Sequence, residues 1–149
     1  MGIITKLFEI DFTAFVPELP VFLGLVRGLL ILAILAGPIA MVVLGGLYLY
    51  KPTPEANYKF GFRTYFGMGS VEAWQFSQRM AGMVFGALGV GLTVIMLIVM
   101  LFFIGKNLQQ IAAICLVVLL IQAVLVLAGR LVVAFLARKY FDKDGNRRR

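Results

Sequence analysis

The stretch "MAGMVFGALGVGLTVIMLIVMLFFIG", Met80 to Gly105, contains no Asp, Glu, Lys or Arg. At 1.5 Å per residue, about 20 helical residues cross the roughly 30 Å hydrocarbon core of a bilayer. A backbone placed there must satisfy its own hydrogen bonds, which leaves helices or closed barrels. Continuous hydropathy without period-2 alternation favours the helix. This stretch therefore reads as a transmembrane helix.

Two more uncharged windows flank it, Gly28 to Tyr50 and Asn107 to Gly129, each longer than 20 residues. The chain of 149 residues is 62% hydrophobic and 14% charged, against about 25% charged in a soluble domain. The expected fold is an all-α membrane protein forming a single membrane domain. Its expected parts are an interfacial segment (1–20), spans at 21–50, 80–105 and 109–137, a long loop (51–79) and a basic tail (138–149). The net charge of +7 divides by side. Lys51, Lys59, Arg63 and Arg79 fall between the first two spans, and Arg138, Lys139, Lys143 and Arg147 to Arg149 follow the third. These regions share one side of a three-span chain, so the positive-inside rule puts loop and C-terminus in the cytoplasm and the N-terminus outside. Topology and contact with anionic membrane lipid account for the basic excess, and no nucleic-acid partner is expected.

Residues 1 to 20 place Ile3, Leu7 and Ile10 opposite Lys6, Glu9 and Thr13, the pattern of an amphipathic helix lying at the interface. The acidic Glu9, Asp11 and Glu18 do not suit a signal peptide, and Lys6 occupies the Ser/Thr position of a myristoylation motif. Gly37-Pro38 predicts a kink in the first span. Arg27 is expected to snorkel toward headgroups. Gly82 and Gly86, followed by Gly89 and Gly91, allow close helix approach, either within the monomer, which is the expectation, or across a homo-oligomer seam. Gln122 is expected to bond a neighbouring helix. The single cysteine, Cys115, reads as a small buried hydrophobe.

Nine of the 19 aromatics lie between Tyr48 and Phe76, as expected where a chain skims the membrane interface. Tyr58, Phe60 and Phe62 alternate with Lys59, Gly61 and Arg63, which suits an extended segment with one apolar face. Ser70 is a good N-cap, and Glu72 in the following turn suits the helix dipole. Trp74, Gln78 and Gly82 recur every fourth residue and share a face of the helix that follows, with Trp74 at the interface. Arg63 is expected to fold back onto Glu72, because a bidentate carboxylate partner offsets the cost of a cation near hydrocarbon.

Asn57, the block Gly61-Phe62-Arg63-Thr64, then Ser70, Glu72, Trp74, Gln78 and Gly82 resemble the signature of the SdpI family of small bacterial membrane proteins. Gln78 stands where many relatives carry Asn or His, which keeps hydrogen bonding and loses a titratable group. The resemblance implies a bacterial plasma-membrane protein conferring immunity to a secreted peptide toxin. It also implies a signalling role, in which a cytoplasmic regulatory protein is held at the membrane. In that case the signature residues serve the toxin response or partner binding.

No histidine occurs in the chain, and the seven carboxylates lie outside the uncharged windows. Metal ligation, a proton relay and acid–base catalysis therefore lack their usual groups, and neither a cofactor nor an enzymatic activity is expected. The alternative function is a structural or scaffold subunit of a membrane complex.

Overall fold

The structure is a computed structural model that describes residues 19–56 and 59–148. The expected interfacial segment, and Asn57 and Tyr58 of the loop, lie outside the described residues.

Three helices carry the described residues: α1 (Leu19–Tyr50), α2 (Val71–Leu101) and α3 (Leu108–Tyr140). All three are long and apolar enough to cross a membrane, so the chain is an all-helical multi-span membrane protein. Among the described residues of the connection from α1 to α2, a 3₁₀ turn spans Phe66–Met68. Asn107 starts α3 with a capping box, accepting from the Gln110 N–H at 2.9 Å while Gln110 Oε1 faces the Asn107 N–H at 3.4 Å.

The packing differs between the two ends of the bundle. Toward the α2–α3 connection, all three helices meet around Ile34, Met96, Phe103, Ile111 and Cys115. Arg27 lies at this end and donates to the Phe103 carbonyl at 2.8 Å, at the C-terminus of α2, so its charge meets the helix dipole there. At the loop end, the core is Met41, Ala81, Phe85, Leu92 and Val133, with Tyr48 and Phe62 packed against it. Phe62 comes from the loop and stacks on Phe85 of α2, with ring centroids 5.5 Å apart. The connection thus folds back along α2 and adds Phe62 to the loop-end core.

The α1–α2 contact is close because glycines line it. A methyl group on Gly45 would sit 2.7 Å from the Gly86 Cα, and one on Gly89 would sit 2.7 Å from the Val42 backbone nitrogen. Gly82 lies against Leu49 and the Gly45 carbonyl. Of the small-residue face that reads in sequence as either an internal or a homo-oligomer seam, Gly82, Gly86 and Gly89 meet α1, while Gly91 is exposed.

Pro38 lies fully buried inside α1, which continues through it as one helix. Proline has no N–H, so the carbonyl four residues earlier loses its ladder donor. That carbonyl belongs to Ile34, and Gln122 Nε2 of α3 donates to it at 2.9 Å. Gln122 thereby satisfies, across helices, the group that Pro38 leaves open. Replacing Gln122 with Leu is expected to cost about 1–2 kcal/mol. In a Pro38→Ala background the same change is expected to cost much less, because the substituted residue brings the missing backbone N–H. Thermal unfolding of the four proteins in detergent measures the coupling; additive effects would separate Gln122 from Pro38.

Candidate functional site

Ser70 ends the loop in an extended conformation and caps α2, its Oγ accepting from the Ala73 N–H at 3.1 Å. With the helix start fixed, Ala73, Trp74, Ser77, Gln78 and Ala81 all face inward and are buried. The loop is laid against this face by side-chain contacts with its backbone. Gln78 is fully buried; its Nε2 donates to the Phe62 carbonyl and its Oε1 accepts from the Phe62 N–H, both at 2.8 Å. One primary amide thus pairs with both backbone groups of one loop residue.

Trp74 is likewise fully buried. Its Nε1–H reaches the Thr53 carbonyl at 2.9 Å and the Thr53 hydroxyl at 3.1 Å. With its N–H satisfied inside the protein, the whole ring can be buried rather than exposed to lipid. Gly61 passes over that ring with φ +127°, a conformation that L side chains rarely adopt. Thr64 is buried beside Ser77 (Oγ1 to Oγ 3.5 Å) and accepts from the Gly67 N–H at 3.0 Å. A side chain on Gly67 would collide with both hydroxyls.

The C-terminal residues close the site from the other side. Phe141 is buried, with its ring 5.3 Å from Phe76. The chain then turns at Asp142-Lys143-Asp144-Gly145, where the Gly145 N–H reaches the Asp142 carbonyl at 3.2 Å and Gly145 has φ +77°. A left-handed glycine after a tight turn is the geometry of a short hairpin loop. The Asn146 N–H, donating to Asp142 Oδ1 at 2.7 Å, is the main cause holding the Asp142 carboxyl below its ordinary range. The lowered value means that the charged turn is fully supported above the ordinary carboxylate pKa and loosens only as pH falls through the depressed one. Ser70 Oγ donates to the Gly145 carbonyl at 2.7 Å, tying the turn to the start of α2.

Glu72 lies 3.9 Å from Arg147 of this turn, with both side chains largely exposed. The expected Arg63–Glu72 pair is not among the ion pairs of the described residues, and the partner comes instead from the far end of the chain. At that exposure the pair contributes little to stability. Arg63 itself is exposed.

Of the signature residues, the structure brings Gly61, Phe62, Thr64, Ser70, Trp74 and Gln78 into one clamp, with Gly82 continuing the same helix face into the α1 contact. Arg63 and Glu72 stand on the outer surface. Thr53, Ser77, Gly67 and Gly145 belong to the clamp as well, although sequence reasoning passed them over. Among the described residues no buried side-chain polar atom lacks a partner, and no group of His, Cys, Asp and Glu could hold a metal. The clamped polar groups are therefore engaged with the protein's own backbone. What faces outward is a cleft of about 730 Å³ lined by Tyr48, Tyr50, Pro52, Pro54, Gln75 and Arg79. A smaller one of about 300 Å³ lies between Glu72, Phe76, Arg79 and Arg147. Arg79 borders both.

These features define a class: a helical membrane protein whose first connection is folded back and locked onto its second span. Residues 55–135, more than half of the chain, match the model of the SdpI/YfhL protein family, and the chain belongs to that family. No curated protein and no solved structure matches it.

Proposed function

We propose that this protein gives non-catalytic immunity to a secreted, membrane-active peptide toxin, with the loop-end clefts as its recognition surface. The observation that carries the reading is the combination of family membership with a loop whose buried signature polar groups are consumed in holding its shape. A loop built this way forms a fixed platform with the start of α2, whose exposed Gln75 and Arg79 line the larger cleft. A regulatory protein in the cytoplasm would meet the same surface, which gives the signalling role its place. The scaffold alternative would have to use the loop and Gly91, since Gly82, Gly86 and Gly89 meet α1.

Expression in a toxin-sensitive bacterium, followed by challenge with a panel of secreted membrane-active peptides, tests the reading. Survival against one of them, reduced at least tenfold by Arg79→Ala at equal protein level, is the expected result. Absence of protection across the panel would remove the immunity reading.

The signalling role needs this surface to face the cytoplasm. The basic residues of the loop and tail favour that orientation. A cysteine replacing Lys106, in a Cys115→Ala background, is expected to react with an impermeant thiol reagent in intact cells. One replacing Lys143 is expected to stay unlabelled until the membrane is opened. The opposite pattern would invert the topology.

A further inference from the structure

Arg130 is the only charged residue between Lys106 and Arg138, and it lies ten residues before the end of α3. At 1.5 Å per residue, its backbone is about 15 Å from that end, alongside Phe85 of α2 and Met41 of α1. An arginine at such depth is costly unless it snorkels to the interface, meets a counter-charge or lines a water-filled route. Among the described residues no carboxylate pairs with it. No carboxylate occurs between Glu72 and Asp142 or anywhere in α1, and Glu72 is 13 residues, or about 20 Å, up the helix from Phe85. Among the described residues Arg130 has no hydrogen bond or ion pair, and its side chain is exposed.

What lies beside it is a crevice of about 250 Å³ between α1 and α3, lined by Met41, Leu44, Phe62, Phe85 and Val126 with Arg130. The lining is apolar apart from the guanidinium and the Tyr48 hydroxyl. Such a site suits a ligand with one anionic oxygen cluster joined to a hydrocarbon chain. A guanidinium binds phosphate oxygens bidentately, and the narrow apolar slot takes an alkyl chain. Phe62 is held in the slot by the Gln78 clamp, so the crevice is shaped by the folded-back loop.

We propose that this crevice is a binding site for an anionic glycerophospholipid, with the phosphate on Arg130 and an acyl chain between α1 and α3. The anionic class is favoured over a zwitterionic one because no carboxylate lines the crevice to receive a choline or ethanolamine cation. This inference is independent of the immunity reading, since it concerns lipid retained by the resting protein.

The test uses the full chain in a mild maltoside detergent, titrated with dioleoyl phosphatidylglycerol or dioleoyl phosphatidylcholine, with bound lipid counted by native mass spectrometry. One phosphatidylglycerol per chain is expected at concentrations where phosphatidylcholine does not bind. Arg130→Gln is expected to weaken that binding roughly ten- to a hundredfold, the scale of a lost charge-assisted hydrogen bond. Arg130→Lys should keep most of it. Val126→Trp fills the slot while leaving the charge, and is expected to cause a similar loss. Unchanged binding in Val126→Trp would reduce Arg130 to a snorkelling cation and overturn the site. Equal binding of the two lipids would overturn it too, as would a dimer peak that Arg130→Gln abolishes, which would give this face to a second copy.

Discussion

Gln78→Leu is expected to destabilise the protein by about 2–5 kcal/mol, an effect large for one side chain of similar volume. The loss is not one hydrogen bond but two, and both of the abandoned partners are backbone groups of Phe62. In a buried setting each unsatisfied group costs about 1–3 kcal/mol. Phe62 would then leave its stack between Tyr48 and Phe85, so the loop-end core would loosen with it. Gln78→Glu gives a sharper test. The carboxylate can accept from the Phe62 N–H but has nothing to donate to the Phe62 carbonyl, and burial disfavours its charge. Its protonated form restores the donor, so its pKa in the folded protein is raised above that in the unfolded chain. The folded state then holds more protons, and stability is greatest below the ordinary glutamate pKa and falls as pH rises through the raised one. Unfolding midpoints in detergent from about pH 4 to 8 should therefore fall with pH for Gln78→Glu relative to the unsubstituted protein. Parallel curves for the two proteins would show that the amide does not clamp Phe62.

The three spans were legible because the bilayer imposes a length and a charge rule that sequence displays directly. The start of α2 was legible for a similarly local reason, since Ser70 bonds the backbone only three residues away. The shared face of Trp74, Gln78 and Gly82 also follows from helical period alone. What lies against that face did not follow. The burial of the Trp74 ring rests on Thr53, whose carbonyl is 21 residues upstream. Gln122 was recognisable as an interhelical donor, yet its acceptor depends on Pro38, 84 positions away, and on the register of α3 against α1.

The tail shows a different limit. Its arginines read as a topology signal, and that composition hid the turn signal carried by Asp142 to Gly145. The contact partners of the turn are Ser70 and Glu72, far away in the chain. Proximity in sequence pointed Glu72 toward Arg63, whereas the fold brings Arg147 to it. Charge pairing at a surface is weakly determined by local sequence because each pair is worth little and several cations compete.

Gly61→Ala is expected to be as damaging as the loss of the Gln78 amide, at about 2–5 kcal/mol, although it adds a single methyl group. Two separate costs meet at this position. With φ +127°, a Cβ strains the backbone whatever the space around it. That Cβ would also stand 2.6 Å from Trp74 Cη2, in a ring held by the Thr53 bonds and buried on all sides. The backbone cannot shift to relieve the clash without pulling Phe62 out of the Gln78 clamp one residue later. Trp74→Phe in the same chain separates the costs. It shortens the ring at the point of collision and leaves the backbone strain in place. By itself it is expected to destabilise through the loss of the Thr53 bonds, but Gly61→Ala introduced on top of it should cost about 1–3 kcal/mol less than in the unsubstituted protein. Thermal unfolding of the four proteins in one detergent gives the coupling directly. A Gly61→Ala penalty that is unchanged by Trp74→Phe would leave backbone strain as its only source and break the proposed contact between loop and ring.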